Sequence, residues 1–152
     1  MPTQHLAGLA WQVCEAAGED VLVPREKIMG DIGATYNQFT RLKAYIWDFI
    51  AREKGKVFIA FRGAYIVTTD PAKVAENIKW KLTRIRTELK RMLTGSIEPF
   101  GDQVAQYEVL KLYQDDISYM LRQAERMELA ARGLPEPVKI PQRKRPTKSR
   151  RR

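Results

Sequence analysis

The sequence predicts a mainly α-helical chain with one small β-hairpin. Over most of residues 3–132 apolar side chains recur at three- and four-residue steps, which is the period of a helix. One stretch, 56–69, is instead β-branched and aromatic with Arg62-Gly63 near its centre, which favours two paired strands. We therefore expect a helix-and-hairpin domain at 1–71, a two-helix arm at 72–133 and a disordered basic tail at 134–152.

Three helices are predicted before the hairpin, each ended by a glycine. The first ends near Gly18, and the second, spanning about 24–32, ends at Gly33. The third begins after the N-cap Thr35 and continues to about Lys54. Its predicted apolar stripe consists of Phe39, Leu42, Ile46, Phe49 and Ile50.

The arm at 72–133 is predicted to contain two helices. The first ends near Leu93, and the second runs from an N-cap at Asp102 to Arg132. A near-heptad stripe on the second helix consists of Leu110, Tyr113, Ile117, Met120, Ala124, Met127 and Ala131. This spacing favours a homodimer that pairs through 103–131. The alternative, which the pattern does not separate from it, is that both helices pack on the first domain.

Composition excludes several classes of protein. Cys14 is the only cysteine and His5 the only histidine, so one chain has neither an intramolecular disulfide nor a zinc site of Cys and His. The sequence contains no glycine-rich phosphate loop and no catalytic dyad, so we expect no enzyme activity, no metal and no cofactor. The longest strongly apolar run, Val57 to Phe61, is too short for a membrane span, and we expect no membrane partner.

The order helix, short strand, helix, turn, helix, hairpin over 3–70 resembles the winged helix-turn-helix family of DNA-binding domains. Gly33 occupies the turn position of that family. The surrounding apolar positions are filled by Ile28, Ile32, Ala34, Phe39 and Leu42. The segment from Phe61 to Ile66 is similar to the wing of response-regulator effector domains and of small phage-type regulators, whereas Met29 stands where the family usually has a small residue. The resemblance implies that the third helix enters the major groove beside a wing.

Side chains on the polar face of the third helix suit the reading of base edges. Asn37 and Gln38 can pair with adenine, Arg41 with guanine, and the Thr40 methyl group can contact thymine. These residues cluster in the N-terminal half of the helix, the half that reads bases in such domains. The candidate DNA-binding residues before the tail are Thr35, Tyr36, Asn37, Gln38, Thr40, Arg41, Lys43, Lys56 and Arg62. The alternative is an ordinary solvated helix face.

The tail concentrates the positive charge of the chain. The formal net charge is +9, and eight basic residues against one acidic residue lie between Pro135 and Arg152. Such a segment is expected to bind phosphates without sequence preference and with steep salt dependence. Its candidate DNA-binding residues are Arg143, Lys144, Arg145, Lys148 and Arg150. An RNA-binding or packaging role for the tail is the weaker alternative.

Together these features predict a DNA-binding transcriptional regulator of small bacterial or phage type. Its expected partners are double-stranded DNA and a second copy of the chain. The expected location is the cytoplasm, associated with the nucleoid, or the host cytoplasm if the protein is phage-encoded. The alternative from another class is a winged-helix protein-interaction module that binds host transcription or replication machinery.

Overall fold

Short helices and a hairpin form the first half of the chain, and two long helices follow. The computed structural model describes residues 1–135. In chain order the elements are α1 (Thr3–Ala17), α2 (Arg25–Ile32), α3 (Tyr36–Tyr45), α4 (Ala51–Lys54), β1 (Val57–Phe61), β2 (Ala64–Thr68), α5 (Pro71–Arg91) and α6 (Glu108–Arg132). A π-helical turn, Ile46–Ile50, joins α3 to α4. A π-helical segment, Met92–Ile97, and a 3-10 helix, Glu98–Gln106, join α5 to α6. The predicted class, mainly α with a small hairpin, is confirmed.

The main core lies between α1, α2, α3 and the inner face of the hairpin. It is formed by Leu6, Ala7, Ala10, Trp11, Cys14, Val23, Ile28, Ile32, Phe39, Leu42, Ile46, Phe58 and Val67. The helix stripes read from the sequence supply most of these side chains, because an amphipathic helix buries the residues that recur every three or four positions. Gly33 ends α2 with φ of 64°, a left-handed conformation that glycine adopts without steric cost.

The hairpin is antiparallel and has the predicted two-residue turn. Val57 pairs with Thr68 and Phe61 with Ala64, which leaves Arg62 and Gly63 at the tip. Their φ angles are 48° and 81°, and positive φ at both central residues is the requirement of a type I′ turn. On the other edge Val23 bridges to Tyr65 through two backbone hydrogen bonds of 2.8 and 2.9 Å. The segment before α2 therefore ties the hairpin to the helical core.

Helix α5 covers the outer face of the hairpin. Alternate residues of a strand point to opposite faces, so Ile59 and Ile66 face away from the main core, yet they are only 3% and 0% exposed. The first half of α5 packs on β1, and the buried Asn77 donates from Nδ2 to the Ala60 carbonyl at 3.0 Å. The hairpin is therefore packed on both faces, and its tip remains exposed.

The second half of α5 pairs with α6 in an antiparallel arrangement. Arg86 forms an ion pair with Glu128, whose carboxylate also accepts from the Thr83 hydroxyl at 3.2 Å. Leu89 and Ala124 are buried between the helices. The arm is thus anchored on the hairpin by the start of α5.

Two predictions about the arm are wrong. The second helix does not begin after Asp102, which lies in the 3-10 helix; α6 begins at Glu108. Part of the predicted heptad stripe is also not a packed face, because Tyr113, Met120 and Met127 are exposed. Most of the less exposed positions of α6 lie about 60–100° around the helix from the exposed row; they are Leu110, Gln114, Ile117, Leu121, Ala124 and Glu128.

The predicted stripe of the third helix also changes at its end. The π-helical turn at 46–50 adds about one residue to the local helical repeat, so later side chains rotate relative to the stripe. Phe49 is therefore exposed rather than buried, and its ring lies 4.7 Å from that of Tyr45.

Candidate nucleic-acid interface

The turn between α2 and α3 holds the two helices in a fixed relation. The Ala34 N–H donates to the Met29 carbonyl at 3.0 Å, and the Gly33 N–H donates to the Gly30 carbonyl at 3.4 Å. Ile32 and Phe39 are buried on either side of this turn. Because one helix packs on each side of the glycine, the start of α3 is positioned by the core and not by the loop alone.

The outward side of α3 is polar and open to solvent. Asn37, Thr40, Arg41 and Ala44 are all exposed, while α1 packs on the opposite side of the helix. Within residues 1–135, Arg41 forms no ion pair. The polar side predicted for the third helix is therefore exposed, and the Arg41 guanidinium and the Asn37 amide are accessible to an external partner.

Thr35 and Gln38, by contrast, are occupied by capping α3. The Gln38 N–H donates to Thr35 Oγ1 at 3.3 Å, and the Thr35 N–H donates to Gln38 Oε1 at 2.8 Å. This reciprocal pair is a capping box, which satisfies backbone donors that have no partner within the helix. The Thr40 hydroxyl also donates to a backbone carbonyl, that of Tyr36, at 3.2 Å. Its methyl group is what remains for an apolar contact.

The two lysines predicted to neutralise phosphates already have partners. The Lys43 ammonium lies 5.4, 5.6 and 5.8 Å from the ring centres of Phe39, Tyr65 and Trp47, and it donates to the Tyr65 hydroxyl at 3.2 Å. Cation–π contacts of this kind stabilise a partly buried charge. Lys56 forms an ion pair with Glu15 at 3.3 Å. Lys43 in particular is placed among aromatic rings rather than on the outward side of α3.

Arg62 stands at the exposed tip of the hairpin. Its guanidinium carbon lies 4.9 Å from the Phe61 ring centre, so the side chain rests along the hairpin. The core packs on one face of the hairpin and α5 packs on the other, so the strands that carry the tip are held in place. Arg62 therefore presents a positive charge from a rigid support.

Several contacts between cationic and aromatic side chains were not predicted from the sequence. The Arg25 guanidinium lies 5.3 Å from the exposed Tyr36 ring, and Lys81 lies 4.8 Å from the Trp47 ring. The only signal for Lys81 and Trp47 was their residue type, because 34 positions separate them and only the packing of α5 brings them together. Exposed Trp80 carries Arg84 over its ring at 4.9 Å.

A cleft of about 600 Å³ separates the start of α2 from the hairpin tip and α5. Its lining combines basic and acidic groups, including Arg25, Glu26, Arg62 and Glu76. Arg25 donates to Glu26 at 2.8 Å. The pKa of Glu26 is lowered first by its own backbone N–H at the start of α2 and then by the bond from Arg25. The mixed charge of its lining does not favour this cleft as a strong anion site.

The described residues offer little to other kinds of chemistry. Among residues 1–135, no group of three His, Cys, Asp or Glu side chains is placed to hold a metal ion. Burial raises the pKa of the Cys14 thiol to about 11, so this thiol stays protonated at neutral pH. In the same part of the chain, no helix has the length and apolar character to cross a membrane.

Asn37 and Arg41 lie on the outward side of α3, and Arg62 lies at the exposed tip of the hairpin, whose strand β2 contacts α3 through Tyr65 and Phe39. The predicted tail residues Arg143, Lys144, Arg145, Lys148 and Arg150 lie outside the described residues. Chemically, the outward side of α3 and the hairpin tip offer amide and guanidinium donors and a methyl-bearing surface, the groups that pair with base edges and phosphates. Comparison of the chain with protein-family models, with curated proteins and with solved structures gave no match.

Proposed function

We propose that the chain is a DNA-binding transcriptional regulator of winged helix-turn-helix type. The observation that carries this proposal is the exposed polar side of α3, together with a hairpin that contacts α3 through Tyr65 and Phe39 and has Arg62 at its tip. An α-helix fits the major groove of DNA, and the N-terminal half of such a helix faces the base edges. The outward residues Asn37, Thr40 and Arg41 lie in that half.

The roles follow from the chemistry of each side chain. Arg41 pairs with the O6 and N7 acceptors of guanine, Asn37 pairs with adenine, and the Thr40 methyl and Ala44 contact thymine methyl groups. Thr35 and Gln38 position the helix by capping it and read no bases through the atoms used in the cap.

Positive charge around the α3 face supplies contacts to the DNA backbone. Arg62 contacts phosphates or the minor groove from the hairpin tip, and Arg25 lies on the side of Tyr36. The basic tail adds affinity that does not depend on sequence and falls steeply as salt rises.

Selection of bound sequences from a random duplex pool tests the proposal. We expect one motif to be enriched by the full chain. Arg41→Ala should lower affinity for that motif by about 1–3 kcal/mol and relax one base position. Arg122→Ala removes the same charge from an exposed position on α6 and is the matched control.

Two results would contradict the proposal. Salt-sensitive binding without any enriched motif would leave only non-specific attachment by the tail. An intact motif in Asn37→Ala with Arg41→Ala would show that α3 is not the reader, and would favour the protein-interaction module instead. A chain truncated after Pro135 should bind more weakly and keep the motif preference, since the described domain contains the base readers.

A further inference from the structure

The helix pair α5–α6 leaves an apolar row exposed on each helix. On α5 the row is Ile78 and Ile85, continued by Met92 at the start of the π-helical segment, and these residues are 49%, 51% and 44% exposed. On α6 it is Tyr113, Met120 and Met127, which are 53%, 46% and 52% exposed. In both rows the spacing is seven residues, which returns to the same side of a helix after two turns.

The two rows lie on the same side of the pair. The central residue of the α5 row and one residue of the α6 row come one position before the ion pair that joins the helices: Ile85 before Arg86, and Met127 before Glu128. One residue rotates by about 100° around an α-helix, and because α5 and α6 are antiparallel, this step turns both rows toward one side. The Arg86–Glu128 pair also sets the register, so Ile85 stands level with Met127. We call the six row residues the arm face.

The arm face is as large as the largest apolar patches that monomeric proteins expose. Its exposed fractions add up to about three whole side chains, which is on the order of 500–600 Å². Monomeric proteins rarely expose contiguous apolar patches of more than a few hundred Å², whereas a standard interface buries about 800 Å² on each partner. The arm face alone therefore supplies most of the area that a stable interface needs.

The tail of the same chain lacks the residues to cover this face. Residues 136–152 contain Val138 and Ile140 as their only large apolar side chains, beside eight basic ones. The described part of the chain is already packed elsewhere: the core helices enclose their own cluster, and the start of α5 is on the hairpin. The occupant must come from outside the chain and must bring a row of apolar side chains at helical spacing.

We propose that the arm face binds the arm face of a second copy, forming an antiparallel four-helix bundle. Two helices with one apolar side are half of such a bundle, and heptad spacing is the pattern by which helices of a bundle interlock. With a twofold axis parallel to the helices, the α5 row of one copy meets the α6 row of its partner, so the same surface is complementary to itself. Asp116 lies between Tyr113 and Met120 on this side of α6, in the half of the helix that follows the 92–106 connection. This proposal does not depend on DNA binding.

Sedimentation velocity on the full chain tests it, in high salt so that the tail does not retain nucleic acid. We expect a dimer for the natural chain and for Leu129→Glu, an equally radical change at a leucine that is 66% exposed on the other side of α6. Ile85→Glu with Met127→Glu should weaken the dimer by about 100-fold or more, because central apolar residues of an interface dominate its stability. Circular dichroism checks that each variant keeps its helices.

Several outcomes would overturn the proposal. The first is a monomeric natural chain at the highest soluble concentration, which would leave the arm face to another protein. The second is a double variant that remains dimeric, and the third is a Leu129→Glu variant that dissociates equally. If the double variant loses its helical signal, the milder Met120→Gln decides the question: we expect about tenfold weaker dimerisation, and an unchanged dimer would refute the assignment.

Discussion

Neighbouring residues at the start of α3 should separate into two roles when stability and DNA binding are measured together. Thr35→Ala removes the Oγ1 that accepts from the Gln38 N–H, and it leaves the reciprocal bond from the Thr35 N–H to Gln38 in place. Loss of an N-cap side chain costs about 0.5–2 kcal/mol, and the rather long 3.3 Å bond favours a value of about 1 kcal/mol, in the lower half of that range. Asn37→Ala removes an exposed side chain with no hydrogen bond to the described residues, so its cost in stability should be within about 0.5 kcal/mol of zero.

Urea unfolding followed by circular dichroism gives the free energy of unfolding of both variants, and competition binding on the selected duplex gives their affinities. Thr35→Ala should lower the free energy of unfolding by about 1 kcal/mol and leave the preferred motif unchanged. Asn37→Ala should leave stability unchanged and cost about 1–3 kcal/mol in binding to the motif. Equal loss of stability in the two variants would refute the capping argument. Equal loss of motif preference would refute the division into capping and reading residues.

Three further predictions concern Cys14, the two basic residues Lys43 and Arg62, and Ile66. Burial raises the pKa of the folded Cys14 thiol to about 11, whereas the unfolded thiol ionises at a lower pH. Unfolding therefore releases a proton between these two pKa values, and the free energy of unfolding falls as pH rises through that range. Over that range the fall should be steeper than in Cys14→Ala by up to about 1.4 kcal/mol per pH unit. In a salt titration of DNA binding, Arg62→Ala should lower the slope of log K against log salt by about one. Lys43→Met should leave that slope unchanged and lower the free energy of unfolding by about 1 kcal/mol. Equal slopes for the two variants would contradict this assignment. Ile66→Ala should destabilise the chain by about 2–4 kcal/mol in urea unfolding and speed amide hydrogen exchange in the first half of α5. Exchange in α5 as slow as in the natural chain would show that α5 does not depend on the hairpin.

Local chemistry explains why the first half of the chain was predictable. The ends of α1 and α2 follow from Gly18 and Gly33, which take positive φ, and the hairpin follows from two β-branched segments around Arg62-Gly63. In each case the decisive signal lies within a few residues of the feature. These elements can therefore be predicted from local sequence, without knowledge of distant contacts.

The features that could not be predicted from the sequence depend on the rotational phase of a helix or on contacts between residues far apart in the chain. Phe49 leaves the core because a π-helical turn shifts the phase of its helix, and no residue type marks that turn. On α6 the packed row Leu110, Ile117 and Ala124 and the exposed row Tyr113, Met120 and Met127 lie about 60° apart and both satisfy heptad spacing, so periodicity alone could not choose the packed one. Thr35 and Gln38 matched both a base-reading and a capping pattern, and only hydrogen-bond geometry separates the two.

Helix α5 connects the two proposals physically. Its first half packs on the outer side of the hairpin through Asn77 and covers Ile59 and Ile66, and the same helix carries Ile78 and Ile85 of the arm face. No Gly interrupts its 21 residues, and its only Pro is at the first position, where a helix tolerates it. A bundle built from two arms would thus hold two α3 helices at a fixed separation, since each hairpin is attached to the bundle by one continuous helix. A regulator of this construction reads paired half-sites of fixed spacing, because half-site spacing mirrors the symmetry and rigidity of the dimer.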